Sequence, residues 1–137
     1  RRVTDKTRDA FTTTFRSLID AIHATNGIVT VQMGMCASGR FRSCVTDVSG
    51  NERVRTVRIK VDPRTTDNRL IATIAHELHH ATEILAEDVR DANGALALYR
   101  RIGSSDCKKG LTDACETDAA LAAEARVLEE LYVRAHQ

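Results

Sequence analysis

The sequence predicts an α+β fold in which one helix is followed by a small three-stranded antiparallel sheet and then by three helices. Three patterns support this: apolar residues at helical spacing near the start, β-branched segments in the middle, and helical periodicity over the second half. The chain has 137 residues, of which 42% are hydrophobic, so it is long enough and apolar enough to form a single packed core. We therefore expect one domain covering residues 1–137.

The first half of the chain is predicted to form one helix and three strands. Apolar side chains recur at helical spacing over residues 4–25, and the pair Asn26-Gly27 ends this helix. β-branched residues and alternating polarity then predict three strands, at residues 28–33, 41–48 and 55–61. Short connections and turn signals separate the strands, so we expect an antiparallel meander.

The second half is predicted to be helical. Asp62-Pro63 breaks the last strand, and a helix with a clear apolar stripe covers residues 70–87. A further helix ends at Ile102, and the last helix begins near Thr112 or Asp113 and continues to the end of the chain.

Charge and hydropathy exclude several classes of partner. Lys and Arg number 20 against 19 Asp and Glu, and a formal net charge of +1 gives no reason to expect nucleic acid or an anionic membrane as a partner. No apolar run approaches the roughly 20 residues that span a bilayer. The sequence carries no signal for an oligomeric state.

The four cysteines fall into two local pairs, Cys36 with Cys44 and Cys107 with Cys115. This spacing favours two disulfides over short loops, whereas free buried thiols or metal ligation are the alternatives; no C-x2-C spacing supports ligation. Disulfides indicate an oxidising compartment, so we expect a secreted or periplasmic protein whose signal segment has been removed before Arg1.

The segment His76-Glu77-Leu78-His79-His80 has the spacing of a metal site on a helix. His76 and His80 are one turn apart and share a face, so both rings can reach one zinc ion. The helix's apolar stripe lies on the opposite side and consists of Leu70, Ile74, Leu78, Ala81 and Leu85. The histidine face is therefore expected to border a cleft; the alternative is a pair of solvated surface histidines.

A third zinc ligand is expected from the last helix, because catalytic zinc sites use three protein groups and a water. Glu116 is the charged member of an apolar stripe formed by Ala119, Ala120, Ala123, Val127 and Leu131. A carboxylate in such a stripe needs a partner that offsets its desolvation. Glu124 and Asp118 are alternative ligands, and Glu116 is alternatively the N3 residue of a capping box that starts at Asp113.

These residues carry a family resemblance. His76-Glu77-Leu78-His79-His80 fits the HExxH signature of zincin metallopeptidases, and a downstream Glu116 resembles the ligand arrangement of gluzincins. Position 86 is alanine, which departs from the longer histidine motif of metzincins. The resemblance implies a zincin-like core similar to a small bacterial-type zinc peptidase, a peptide or protein substrate, and an edge strand at residues 55–61 that pairs with it.

The expected activity is hydrolysis of a peptide bond, with Glu77 as general base towards a zinc-activated water. The alternatives are a zinc-dependent amidase or deamidase, an inactive zinc-stabilised binding domain, and a Glu77 that makes only surface contacts. Asp118 or Asp113 is a candidate for orienting a ligand histidine. Several residues are candidate donors to an oxyanion, each with packing or surface exposure as its alternative: Tyr99, Tyr132, His23, His79, Arg100 and Arg101.

Overall fold

A computed structural model describes residues 12–36, 41–103 and 116–136 and confirms the α+β class. The described elements are a helix, three strands and three further helices. In chain order they are α1 (Thr13–His23), β1 (Gly27–Met33), β2 (Ser43–Gly50), β3 (Arg55–Val61), α2 (Asp67–Leu85), α3 (Ala92–Ile102) and α4 (Asp118–Ala135).

The sheet is mixed, and the prediction of an antiparallel meander is wrong. Its strand order is β1-β3-β2: β1 pairs with β3 in parallel, with Val29 opposite Val57, and β2 pairs with β3 in antiparallel orientation. The central position suits β3 because its alternate residues Val57, Ile59 and Val61 are apolar and fully buried. The predicted pairing assumed that strands adjacent in the sequence are adjacent in the sheet. Burial instead favours the most apolar strand, β3, at the central position of the sheet.

The helix α2 occupies the centre of the molecule. It contacts all three strands as well as α1 and α4. Its small and apolar residues Ala72, Ala75, Leu78, Ala81 and Ile84 have no solvent-exposed surface. They belong to one hydrophobic cluster that also contains side chains of the sheet and of α1 and α4. The histidine motif therefore lies on a helix whose packed side belongs to the hydrophobic core.

Several helix boundaries differ from the prediction, and the starts of α4 and α1 differ most. The helix α4 begins at Asp118 rather than near residue 112 or 113, because the side chain of Thr117 accepts a hydrogen bond from the backbone N–H of Ala120 and acts as the N-cap. The helix α1 begins at Thr13. The parts of both predicted helices at residues 4–11 and 112–115 lie outside the described residues.

A buried arginine holds the C-terminal end of α2. The guanidinium of Arg55 donates to the carbonyl oxygens of Leu85, Glu87 and Val89 at 3.0, 2.6 and 3.2 Å, and to Oδ1 of Asn26 at 2.7 Å. These carbonyls lie at the negative end of the helix dipole, so the arginine charge is favourable there. This contact connects the end of the histidine-bearing helix to the start of β3.

We predict that Arg55→Lys lowers the free energy of unfolding by about 2 kcal/mol, because a single ammonium cannot reach three carbonyls and an amide at once. Urea unfolding monitored by circular dichroism measures the change. Arg53→Lys, at an exposed position two residues earlier, is the matched control. Equal stability of the two variants would contradict this role of Arg55.

Cys36 and Cys44 form the first predicted disulfide. Both residues are buried, their Cα atoms are 6.1 Å apart, and the bond connects the segment after β1 to the start of β2. The predicted pair Cys107 and Cys115 lies outside the described residues. Among the helices that the structure describes, none has the length and hydropathy needed to cross a membrane.

Candidate metal centre

The helix α2 places His76 and His80 next to each other. Their ring centroids are 5.0 Å apart, as expected for residues separated by one helical turn. Only 7% of His76 and 4% of His80 is exposed, so the interpretation as solvated surface histidines is wrong. Both rings direct Nε2 towards a residue that lies two positions before the start of α4.

That residue is Glu116, the predicted third ligand. Its Oε2 lies 2.6 Å from Nε2 of His76, and its Oε1 lies 3.1 Å from Nε2 of His80. The candidate ligand atoms of the three side chains all lie within 4.8 Å of one another. The structure thus brings together the residues that the sequence predicted as metal ligands.

The structural setting of Glu116 differs from the prediction. Glu116 precedes the N-cap Thr117 and is neither part of an apolar helical stripe nor the N3 residue of a capping box. The buried stripe of α4 consists of Ala120, Ala123, Val127 and Leu131, whereas Ala119 is exposed. Periodicity placed Glu116 on the correct side of the molecule, although the helix begins two residues later.

Two further carboxylates hold the other nitrogen of each ring. Nδ1 of His76 is 2.8 Å from Oε1 of Glu124, and Nδ1 of His80 is 2.8 Å from Oε1 of Glu83. A metal-binding histidine usually donates its second ring N–H to such an acceptor, which fixes the tautomer and the orientation of the ring. Glu124, which the sequence offered as an alternative ligand, therefore supports His76 through Nδ1, the ring nitrogen that does not face Glu116.

This arrangement fits a divalent metal ion. If each Nδ1–H donates to its outer carboxylate, each neutral ring presents a lone pair at Nε2 to the oxygens of Glu116. Two electron-rich atoms at such short distances repel each other unless a proton lies between them or a cation binds both. Two imidazole nitrogens and one carboxylate oxygen form a ligand set of catalytic zinc sites, and other first-row divalent ions accept the same donors.

In the metal-free protein, protons take the place of that cation. Burial favours the neutral form of His80, but hydrogen bonds with Glu116 and Glu83 outweigh it and raise its pKa to about 10. The pKa of His76 is also raised, since its hydrogen bond with Glu116 and the charge of Glu77 exceed the effect of burial. Burial disfavours the charge on Glu116, yet hydrogen bonds with both rings lower its pKa to about 2.

Glu77, the predicted general base, does not belong to the group of candidate metal ligands. Only 3% of the residue is exposed, so the interpretation that it makes only surface contacts is wrong. Its Oε2 accepts a hydrogen bond of 2.6 Å from the hydroxyl of Ser43 at the start of β2. Burial raises the pKa of the Glu77 carboxyl, because this effect outweighs the opposing charges of His80 and His76.

A cavity of about 270 Å³ adjoins these groups and lies between β2, α2 and α3. Glu77, His80 and Glu116 contribute its polar surface next to the candidate ligands. Its apolar surface is formed by Val45, Val48, Ile84, Ala92, Ala95 and Leu96. The predicted cleft beside the histidines therefore exists, and its lining combines charged and apolar side chains.

No protein-family model, curated protein or solved structure matches this chain. The interpretation of the site consequently depends on its own geometry and on the five-residue motif in α2.

The other predicted site residues are placed elsewhere. The hydroxyl of Tyr99 lies 3.2 Å from Nδ1 of His80 and 3.1 Å from the carbonyl oxygen of the same residue, which is the side away from Glu116. His79 directs Nδ1 towards Oε2 of Glu83, at 3.4 Å. Four candidates have exposed side chains: Tyr132, His23, Arg100 and Arg101. The hydroxyl of Tyr99 therefore lies beside Nδ1 of His80, and the Tyr99 side chain also lines the cavity.

The sequence did not identify Glu83 and Ser43 as supporting residues. It offered Asp118 or Asp113 as the residue that orients a histidine. Asp118 is exposed, and Asp113 lies outside the described residues. Glu83 and Glu124 orient the rings instead. Glu83 was detectable, because it follows His80 by three positions on the same helix face. No pattern in the sequence connects Ser43 to Glu77, since their contact depends on how β2 packs against α2.

The raised histidine pKa values make stability depend on pH. Their contribution to the metal-free protein is complete below the ordinary histidine pKa of 6.5 and is lost as the pH rises towards the value of about 10 for His80. Zinc must displace these protons, so we predict that its stabilising effect grows over the same range.

Thermal unfolding in chelator and in zinc chloride, at about pH 6 and about pH 9, measures both effects. The metal-free protein should unfold at a lower temperature at the higher pH, and the increase on adding zinc should be larger there. A zinc effect that does not change with pH would argue against metal binding by these two rings.

Proposed function

We propose that this chain is a zinc-dependent metallopeptidase in which His76, His80 and Glu116 bind the metal. One observation carries the proposal: a buried carboxylate, Glu77, lies beside the three-ligand cluster, takes no part in it, and lines the same cavity. A binding site for a structural metal has no need of such a group, whereas hydrolysis requires a base next to the reacting water.

A bound zinc ion lowers the pKa of a water molecule and polarises a substrate carbonyl. Glu77 accepts the proton of the attacking water and transfers it to the leaving amine. Ser43 holds Oε2 of Glu77, which leaves Oε1 for this transfer and limits rotation of the carboxylate. The low exposure of Glu77 excludes bulk water, which otherwise competes for the same hydrogen bonds.

The edge strand β2 favours a peptide as substrate. The expectation that residues 55–61 form the substrate-side edge is wrong, because β3 is the central strand. Residues 43–48 of β2 line the cavity instead, and no other strand of the described structure pairs with the free side of β2. An extended peptide can pair with such an edge while one of its side chains enters the cavity and contacts the apolar part of its lining.

A secreted or periplasmic location agrees with this proposal. The disulfide between Cys36 and Cys44 is compatible with an extracellular protein, because such bonds persist in oxidising compartments. The same bond lies next to Ser43 and so stabilises the part of β2 that contacts Glu77.

We predict that Glu77→Gln reduces turnover at least about 100-fold while zinc remains bound, because glutamine keeps the shape of the side chain but cannot accept the proton. Hydrolysis of casein and of a mixed peptide library by the zinc-loaded protein gives turnover, and elemental analysis gives the zinc content. Glu129→Gln, at an exposed position of α4, is the control.

Three results would contradict the proposal in different ways. Unchanged turnover in Glu77→Gln removes Glu77 as the base. Release of ammonia without chain cleavage indicates an amidase or deamidase with the same ligands. Zinc binding without any hydrolysis by the wild-type chain indicates a zinc-stabilised binding domain.

We also predict that Ala95→Leu reduces kcat/KM about 10-fold for peptides with a large apolar side chain near the cleaved bond, but leaves peptides with alanine there unchanged. Ala95 belongs to the apolar lining of the cavity, and the three added carbon atoms occupy part of the cavity volume. Ala97→Leu introduces the same side chain at an exposed position of the same helix and is the control. Equal losses for both peptide classes would show that this cavity does not select the substrate.

A further inference from the structure

Glu83 uses its two carboxylate oxygens for two different parts of the candidate metal centre. Oε1 lies 2.8 Å from Nδ1 of His80 and also accepts a hydrogen bond of 3.2 Å from the hydroxyl of Tyr99. Oε2 accepts a hydrogen bond of 2.7 Å from the hydroxyl of Thr117. The side chain is only 12% exposed, so little water competes for these bonds.

Thr117 links this carboxylate to the third ligand. It is buried, it is the N-cap of α4, and it directly follows Glu116. Its hydroxyl accepts from the N–H of Ala120 while it donates to Glu83, so the start of α4 is attached to α2 at this point. The backbone position from which Glu116 reaches the histidines therefore depends on the contact between Thr117 and Glu83.

We propose that Glu83 is a positioning residue that aligns two of the three metal ligands, His80 through Oε1 and Glu116 through Thr117 and Oε2. Loss of this one carboxylate releases a ligand on α2 and another before α4 at the same time. The inference rests on the metal-binding part of the proposed function, but it does not depend on peptidase activity.

Glu124 provides a comparison within the same site. Its Oε1 holds Nδ1 of His76 at 2.8 Å, the distance that separates Glu83 from His80, while its Oε2 meets the exposed side chain of Arg69 at 3.3 Å. Glu124 therefore supports one ligand with one oxygen. If Glu83 supports two ligands, removing one of its oxygens must weaken metal binding more than the same change at Glu124.

Substitution by glutamine makes this difference measurable, because glutamine retains one acceptor oxygen. In Glu124→Gln that oxygen still serves His76, whereas in Glu83→Gln it serves either His80 or Thr117. The amide nitrogen that replaces the other oxygen cannot accept a hydrogen bond, and it can only donate a neutral one to the Thr117 hydroxyl, which is weaker than the charge-assisted bond that it replaces. Substitution of groups that orient metal ligands typically weakens metal affinity about 10- to 100-fold. We expect about 10-fold for Glu124→Gln and about 100-fold for Glu83→Gln, measured for Zn²⁺ by competition with a chromophoric chelator.

Thr117 separates the two roles of Glu83. Thr117→Val removes the hydroxyl and keeps the shape, so in this background Glu83→Gln should cost only about 10-fold, because the path to Glu116 is already lost. Thr117→Ser retains the hydroxyl and should restore the full effect. The visible spectrum of bound Co²⁺ should change in Glu83→Gln and in Thr117→Val but not in Thr117→Ser, since it reports ligand geometry rather than stability.

Circular dichroism and thermal unfolding of each metal-free variant establish that it is folded. If Glu83→Gln does not fold, Thr117→Val alone decides: it should weaken Zn²⁺ binding, and Thr117→Ser should not. Equal losses for Glu83→Gln and Glu124→Gln, or the same loss for Glu83→Gln in both Thr117 backgrounds, overturn the inference and leave the proposed function intact. Failure of the wild-type chain to bind Zn²⁺ or Co²⁺ overturns both.

Discussion

The site depends on an alternation of carboxylates and imidazoles that joins α2 to the start of α4. Glu124, His76, Glu116, His80 and Glu83 follow one another in that order at hydrogen-bond distances. Negative oxygens border both edges of each ring, so the row is stable only when positive charge lies within it. Protons supply this charge in the metal-free protein, and in the proposed metal complex a divalent cation at Glu116 would supply it.

The sheet contributes the second half of the site. Because β3 is central, β2 becomes an edge strand, and its first residues lie against the motif helix. The bond between Cys36 and Cys44 fixes the start of this strand, where Ser43 contacts Glu77. The proposed base is therefore supported by the sheet, whereas the candidate metal ligands are supported by the helices α2 and α4.

Local patterns in the sequence predicted the motif helix, the shared face of its two histidines and the proximity of Glu116 to them. These features depend on helical periodicity and on ligand chemistry, which short stretches of sequence contain. The strand order was predicted wrongly, because pairing depends on burial of the whole sheet rather than on chain neighbourhood. The contact of Ser43 with Glu77, 34 residues apart in the chain, depends on tertiary packing and leaves no local pattern.

The burial of α2 on nearly every side has a consequence for the thermodynamics of metal capture. The packing of the helix and the hydrogen bonds with Glu124 and Glu83 already restrict the rotamers of His76 and His80. The conformational entropy of these side chains is therefore lost when the chain folds rather than when a metal ion binds. A preorganised site of this kind loses little affinity to rearrangement. The hydrophobic core of this small protein would thus contribute directly to the affinity of the proposed metal site.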